Sequence, residues 1–191
     1  MKRHPEITEG DLTPEQRRVW DRIVEGPRGI VEGPLRVWLQ SPALADKAQD
    51  LGQFARYESC LPPKLTELAI IVTGRIWGSG FEWSHHAPLA AKAGVPQAAI
   101  QLISLGKRPK FTDPEMTVVF DFTVELHRDR AVSDGTFARA SELLGTRGVV
   151  DLVGICGYYS LISMTINVFD VPTDGEFLLP ELETAAADMF I

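Results

Sequence analysis

The sequence is short of cysteine and of basic residues, its central apolar stretch is brief, and each shortage argues against a class of function. Only Cys60 and Cys156 occur among 191 residues. They lie far apart and outside any C-x-x-C spacing, which excludes a disulfide framework and a thiolate metal site and fits a reducing cytoplasm. Nineteen Lys and Arg stand against 26 Asp and Glu, for a net charge of -7. A broad phosphate-binding surface needs clustered cations to displace counterions, so nucleic acid is not an expected partner. An acidic chain can still hold a small anion where one or two arginines focus on a pocket, because the local field decides. The opening residues, Met1-Lys2-Arg3-His4-Pro5-Glu6, lead into polar sequence with no apolar core of signal-peptide length, so no export signal is expected. The central apolar stretch Leu68 to Thr73 falls far short of the roughly 20 residues that span a bilayer, and it reads as a buried helix with no membrane partner.

What is present is a globular composition. Hydrophobic residues make up 45% and charged residues 24%, enough apolar side chain for one domain with its own core. A single domain over 1–191 is expected, with extended N-terminal (1–33) and C-terminal (173–191) segments. Thr13 before Pro14, with Gln16 at the third position, starts a helix to about Glu25. Gly26-Pro27 stops it, and the glycine-rich stretch to Gly33-Pro34 reads as a loop that re-enters the core at Leu35-Arg36-Val37-Trp38-Leu39. Ser41-Pro42 opens a second helix to about Glu58, with Leu44, Ala48, Leu51 and Ala55 as its inward stripe. Pro62-Pro63 opens a central helix so apolar that burial on most sides is expected.

Gly78-Ser79-Gly80 bends the chain before a helix over Phe81 to Lys92, which ends at Gly94 and gives a helical hairpin. Further helices follow over Pro96 to Leu105, from Asp113 to about Arg128, and from Ser133 to Leu144. Thr146 to Phe169 is long, apolar and free of turn signals, so helix is expected despite its β-branched content, with Gly154 and Gly157 allowing a close helix contact. The tail from Thr173 is acidic and either loosely held or wrapped on a neighbouring subunit. The apolar excess of the central and last helices suggests self-association.

The densest polar cluster is Glu82-Trp83-Ser84-His85-His86. Spacings of three and four put both imidazoles on the face of the Glu82 carboxylate, an arrangement that sets the tautomer and basicity of a histidine for proton transfer. A helix-surface pair is the plain alternative. Glu82-x-x-His85 is half of a di-iron pattern without its second copy, and no His-Glu-x-x-His occurs, so no metal site is expected. Glu67 lies in the apolar central helix and must find a partner, either Arg75 two turns on or a histidine that it supports as a proton relay. Arg75 and Trp77 are candidates to hold and cover an anionic substrate. His127 reads as a solvated residue at a helix end, His4 lies near the terminus, and Tyr158 and Tyr159 read as core, with one of them able to reach a pocket.

Glu67-Leu68-Ala69-Ile70-Ile71-Val72-Thr73, then Trp77-Gly78-Ser79-Gly80-Phe81-Glu82-Trp83-Ser84-His85-His86-Ala87 and Ala93-Gly94-Val95-Pro96, resembles the carboxymuconolactone decarboxylase family of the alkylhydroperoxidase D-like superfamily. The run Asp151-Leu152-Val153 to Gly157-Tyr158-Tyr159, ending Asn167-Val168-Phe169-Asp170-Val171-Pro172, is similar to that family too. The resemblance implies an all-α, alkylhydroperoxidase D-like helical bundle with a central helical hairpin and a homo-oligomer, a trimer or hexamer. It also implies a site built on His86, His85, Glu82 and Glu67, with Arg75, Trp77, Ser79 and Trp83 around the substrate. In the peroxidase branch a redox cysteine pair falls on Ser79 and Glu82, so thiol-dependent peroxide reduction, which needs an attacking and a resolving thiol, is disfavoured. The decarboxylase branch implies a reaction with neither metal nor organic cofactor on a small anionic lactone or related ring acid, in which His86 or His85 delivers a proton. A redox protein and a non-catalytic small-molecule-binding oligomer remain the alternatives.

Overall fold

Proline at the first helical position, where its fixed φ fits and its missing N–H costs nothing, opens five of the helices. The computed structural model describes residues 3, 7–173, 177–182 and 189–190; His4 and the tail residues 174–176, 183–188 and 191 lie outside the described residues. The helices are α1 (Pro14–Glu25), α2 (Pro34–Trp38), α3 (Pro42–Gln53), α4 (Pro63–Ile76), α5 (Gly80–Ala93), α6 (Gln97–Ser104), α7 (Pro114–Asp129) and α8 (Asp134–Phe169). No strand occurs among the described residues. The fold is all-α.

Helix α1 begins as its sequence signal requires: the Gln16 N–H donates to Thr13 Oγ1, and the Thr13 N–H donates back to Gln16 Oε1 at 2.9 Å. Helix α2 replaces the re-entrant loop expected over 35–39; it is one turn long and buries Pro34, Leu35, Val37 and Trp38. Helix α8 keeps the expected break, since Gly145 at φ 70° joins two helical stretches at a kink.

Helix α4 is the axis of the core. Every residue from Leu65 to Arg75 is buried, and α4 packs against α5, α7 and α8. Helix α5 returns beside α4 through a tight connection in which Gly78 adopts φ 62° and the Ser79 N–H donates to the Gly74 carbonyl at 2.8 Å. This is the central helical hairpin. Its tightness fixes the rotation of α5 against α4, and with it which α5 side chains can reach Glu67.

Three expectations change. The inward face of α3 holds Ala45, Ala48, Gln49 and Gly52, whereas Leu44 and Leu51 are exposed. Ion pairs from Asp46 to Arg22 and from Asp50 to Arg22 hold α3 against α1, and small residues on the buried face permit the close approach. After Gln53 the chain widens into a π turn over Phe54–Glu58, so 3.6-residue periodicity stops there and not at Glu58. Among the described residues Gly154 and Gly157 meet no other helix: a Cβ at either would find none of their atoms within 4 Å. They lie instead along an outer stripe of α8 with exposed Val150, Val153, Met164 and Val168. That stripe extends about 27 Å at 1.5 Å per residue. By length and hydropathy α8 could cross a bilayer, but 61% of its most apolar window is buried within the bundle, which identifies it as a core helix.

His127 is half-buried, not solvated. Its Nε2 lies 3.1 Å from Thr73 Oγ1, and burial lowers its pKa to about 4. An imidazole neutral in the folded state and basic in the unfolded chain stabilises the fold above about pH 6.5, and that contribution is lost as the pH falls toward about 4. Urea midpoints should therefore decline over this interval and decline less in His127→Gln; equal declines would remove His127 as a source. Gly52 supplies a second test. A Cβ there would overlap the Tyr158 hydroxyl and the Arg28 guanidinium, so Gly52→Ala should cost about 1–3 kcal/mol of unfolding free energy in denaturant titrations, as overpacking typically does.

Candidate acid-base site at the α4–α5 hairpin

A glutamate in a helix as apolar as α4 has to be paired, because an isolated buried carboxylate is far costlier than a solvated one. Glu67 finds His86 across the hairpin and not Arg75: His86 Nδ1 lies 2.8 Å from Glu67 Oε2. The second nitrogen, Nε2, faces Glu82 Oε2 at 3.4 Å, one turn back on α5. Glu67, Glu82 and His86 are all buried. Nδ1–H donating to Glu67 fixes the tautomer and leaves Nε2 to exchange a proton with Glu82. Burial pushes the Glu82 carboxyl above the usual carboxylate range, while the positive charges of His86, Arg28 and Arg56 pull it back.

His86, Glu82 and His85 line a cavity of about 140 Å³. Its other walls come from the loop between α1 and α2 (Arg28, Ile30, Glu32), the π turn (Arg56, Tyr57), Phe81, and Tyr159 and Ile162 of α8. An apolar cavity near 150 Å³ accommodates benzene, so the space suits one small ring whose polar substituents face Arg28, Arg56 and Glu82. Edge-to-face contacts run from Trp38 to Tyr158 (6.1 Å), Tyr158 to Tyr159 (5.2 Å), Tyr159 to His86 (5.1 Å) and His86 to His85 (5.0 Å). This aromatic chain locks the imidazoles against a rigid wall. Tyr159, read as core from sequence, is thus both core and cavity lining, with burial holding its phenol well above its ordinary pKa.

His85 plays a different part from His86. Its Nε2 lies 3.1 Å from Arg56 Nη2 and must accept, since a guanidinium only donates. Burial, then the neighbouring charges of His86 and Arg56, lower His85 to about 4, so near neutral pH it is an uncharged acceptor and not a proton donor. Among the described residues, no group of three or more His, Cys, Asp or Glu side chains is arranged to hold a metal ion.

The four residues expected around the substrate lie elsewhere. Arg75 points to the far side of α4, where Nη1 donates to the carbonyls of Ser104 (3.2 Å) and Pro180 (2.7 Å). Eight residues are slightly more than two turns, and the Arg75 side chain follows the free carbonyls at the α6 end, not Glu67. Trp77 caps α4 and its carbonyl accepts from Asn167 Nδ2. Ser79 is fully buried at the start of α5, its hydroxyl without a partner among the described residues. Trp83 faces α6 and residues 177–178, lining a separate groove. The cations that do face the cavity, Arg28 and Arg56, carried no periodic signal: one sits in a glycine-rich loop, the other in a π turn that breaks the helical register.

A profile of the carboxymuconolactone decarboxylase family matches residues 42–125, which include α3, the π turn, the α4–α5 hairpin and most of α7. No curated protein matches the chain. Among solved structures, an uncharacterized peroxidase-related protein from Silicibacter sp. TM1040 superposes with a TM-score of 0.69, at 11% identity, over 87% of this chain and 88% of the other. At that identity the likeness establishes a shared fold alone. The segment that carries Glu67, Glu82, His85 and His86 is thus the part of the chain that matches the carboxymuconolactone decarboxylase family, within an all-α fold shared with the peroxidase-related structure.

Proposed function

We propose that this protein is an acid-base enzyme, a carbon-carbon lyase of the decarboxylase kind, acting on a small anionic lactone or related ring carboxylic acid. The observation that carries this is His86 held between Glu67 and Glu82 at the wall of a ring-sized cavity. In a carboxylated lactone the bond from ring carbon to carboxylate breaks, carbon dioxide leaves, and the electron pair is delocalised into the lactone carbonyl. The carbon then takes a proton from the Glu82–His86 couple, while Glu67 balances the charge on the imidazole. The lactone carbonyl is itself the electron sink, so this route calls on no added cofactor.

Thiol redox chemistry finds less support. By the resemblance to the peroxidase branch, Ser79 and Glu82 fall where that branch carries its redox cysteines. Cys156 is buried with its thiol pushed up to about 11, and burial and Asp151 raise Cys60 as well, so neither has the thiolate character that peroxide reduction requires. Both cysteines are free, which fits a cytoplasmic location. An open cavity against His86 favours catalysis over a binding role that has lost its chemistry. We further infer that copies associate through the outer stripe of α8, where exposed valines and Met164 flank two glycines with open space above them.

Ultraviolet-monitored turnover of carboxylated muconolactones and related lactone acids should fall about 10²- to 10⁴-fold in His86→Ala, with Glu67→Gln intermediate; undiminished turnover in His86→Ala overturns the assignment. Light scattering should give a mass of several chains, reduced to one by Val153→Glu with Met164→Glu; a monomeric wild type overturns the self-association.

A further inference from the structure

Two guanidinium groups converge on the cavity from different elements, and neither has a carboxylate within ion-pair distance among the described residues. Arg28 is held by a neutral partner, Nη2 donating to the Tyr158 hydroxyl at 3.0 Å, and its Nε is buried without a hydrogen bond. Arg56 is likewise held by a neutral group, the imidazole of His85. The surroundings fix where each fork sits. Gly52 leaves room for the Arg28–Tyr158 contact that any Cβ would fill, and the π turn swings Arg56 inward over Tyr57, its guanidinium carbon 5.3 Å from the ring centroid. Two oriented cations with neutral anchors, facing a space that suits one ring, constitute a site for an anionic substituent.

The same two cations act on Glu82. Facing this carboxyl are His86 and His85 on its own helix, Glu67 on α4, Tyr158 and Tyr159 on α8, Arg28 and Glu32 on the loop, and Arg56 on the π turn. Of these, Arg28, Arg56 and His86 are the groups whose charge favours the ionised carboxylate against the cost of its burial. A ligand carboxylate seated on the guanidiniums neutralises two of those three and adds a negative charge nearby. Both changes favour the neutral acid.

We propose that Arg28 and Arg56 are the carboxylate-binding residues of this cavity, and that seating a ligand carboxylate on them draws a proton from solvent onto Glu82. Binding then prepares the acid that the reaction consumes: the proton is taken up when the substrate enters and is delivered to the ring carbon after carbon dioxide leaves. The proposal rests on the acid-base assignment above and names both its substrate contact and the origin of its proton. Arg28 lies before the family-matched segment, so this subsite depends on chain outside residues 42–125.

Benzoate is the probe, because its ring fits the space and it has no lactone to turn over. Its binding therefore remains readable whatever the lactone assays give. Calorimetric affinity and direct measurement of proton uptake in weakly buffered solution, scanned between about pH 5 and 9, test both halves. The expected result is uptake approaching one proton per benzoate somewhere in that range, retained binding but no uptake in Glu82→Gln, and affinity about tenfold or more weaker in Arg28→Met and in Arg56→Met. Arg56→Lys, which keeps the charge and loses the fork, should fall between. Undiminished affinity in both methionine variants, or no benzoate binding at millimolar concentration, overturns the subsite. Binding without uptake across the range, or uptake unchanged in Glu82→Gln, overturns the coupling.

Discussion

The buried contact between Glu67 and His86 is the constraint to which the rest of the site answers. A carboxylate in the middle of α4 needs a hydrogen-bonding partner, and removing one member of a buried charged pair typically costs about 3–5 kcal/mol because the other is left stranded. The partner must come from α5, and only one rotation of α5 presents the His86 imidazole to Glu67 at 2.8 Å. With that rotation fixed, Glu82 one turn back lies on the same face, and His85, a further 100° round, reaches Arg56. Two adjacent histidines thereby acquire opposite duties: one is poised between carboxylates, the other is a neutral rest for an arginine.

Rigidity around that contact comes from aromatic packing more than from polar bonds. The chain of rings from Trp38 through Tyr158 and Tyr159 to His86 connects α2, α8 and α5. Trp38 is tied in turn to Thr165 by a hydrogen bond from its indole N–H at 2.9 Å. Such a wall confines the contact of Glu82 with water to the cavity side, and in these low-dielectric surroundings nearby charges act strongly on its carboxyl group. Stability and reactivity share the same side chains, since the large rings that fill the core also form the wall beside Glu82.

How much of this was legible in the sequence depended on whether the information was local. Caps and prolines gave the helix starts correctly at Thr13-Pro14, Ser41-Pro42 and Asp113-Pro114, because each acts within one turn of the chain. The acid-base cluster was legible too, since Glu82, His85 and His86 are neighbours on one helix and Glu67 is conspicuous in apolar surroundings. Its partner was ambiguous between Arg75 and a histidine, and tertiary packing decided it: Arg75 satisfies carbonyls of Ser104 and Pro180 that no local pattern could have revealed. In the α3 stripe Ala48 and Ala55 are buried as expected, but Leu44 and Leu51 are exposed beside the buried Ala45 and Gly52, because close approach to α1 selects small residues. Arg28 and Arg56 were missed for a related reason, since loops and π turns carry no period from which a direction can be read.

The π turn at Phe54–Glu58 has a consequence for how such a protein diversifies. A π turn differs from an α turn by a single additional residue, and one residue corresponds to about 100° of rotation around a helix. Loss of one codon in this stretch would turn the Arg56 side chain away from the cavity while leaving the α4–α5 hairpin, with its carboxylates and imidazole, intact. The charge character of the pocket and the machinery for moving protons are thus separable by the smallest change in chain length that a gene can make.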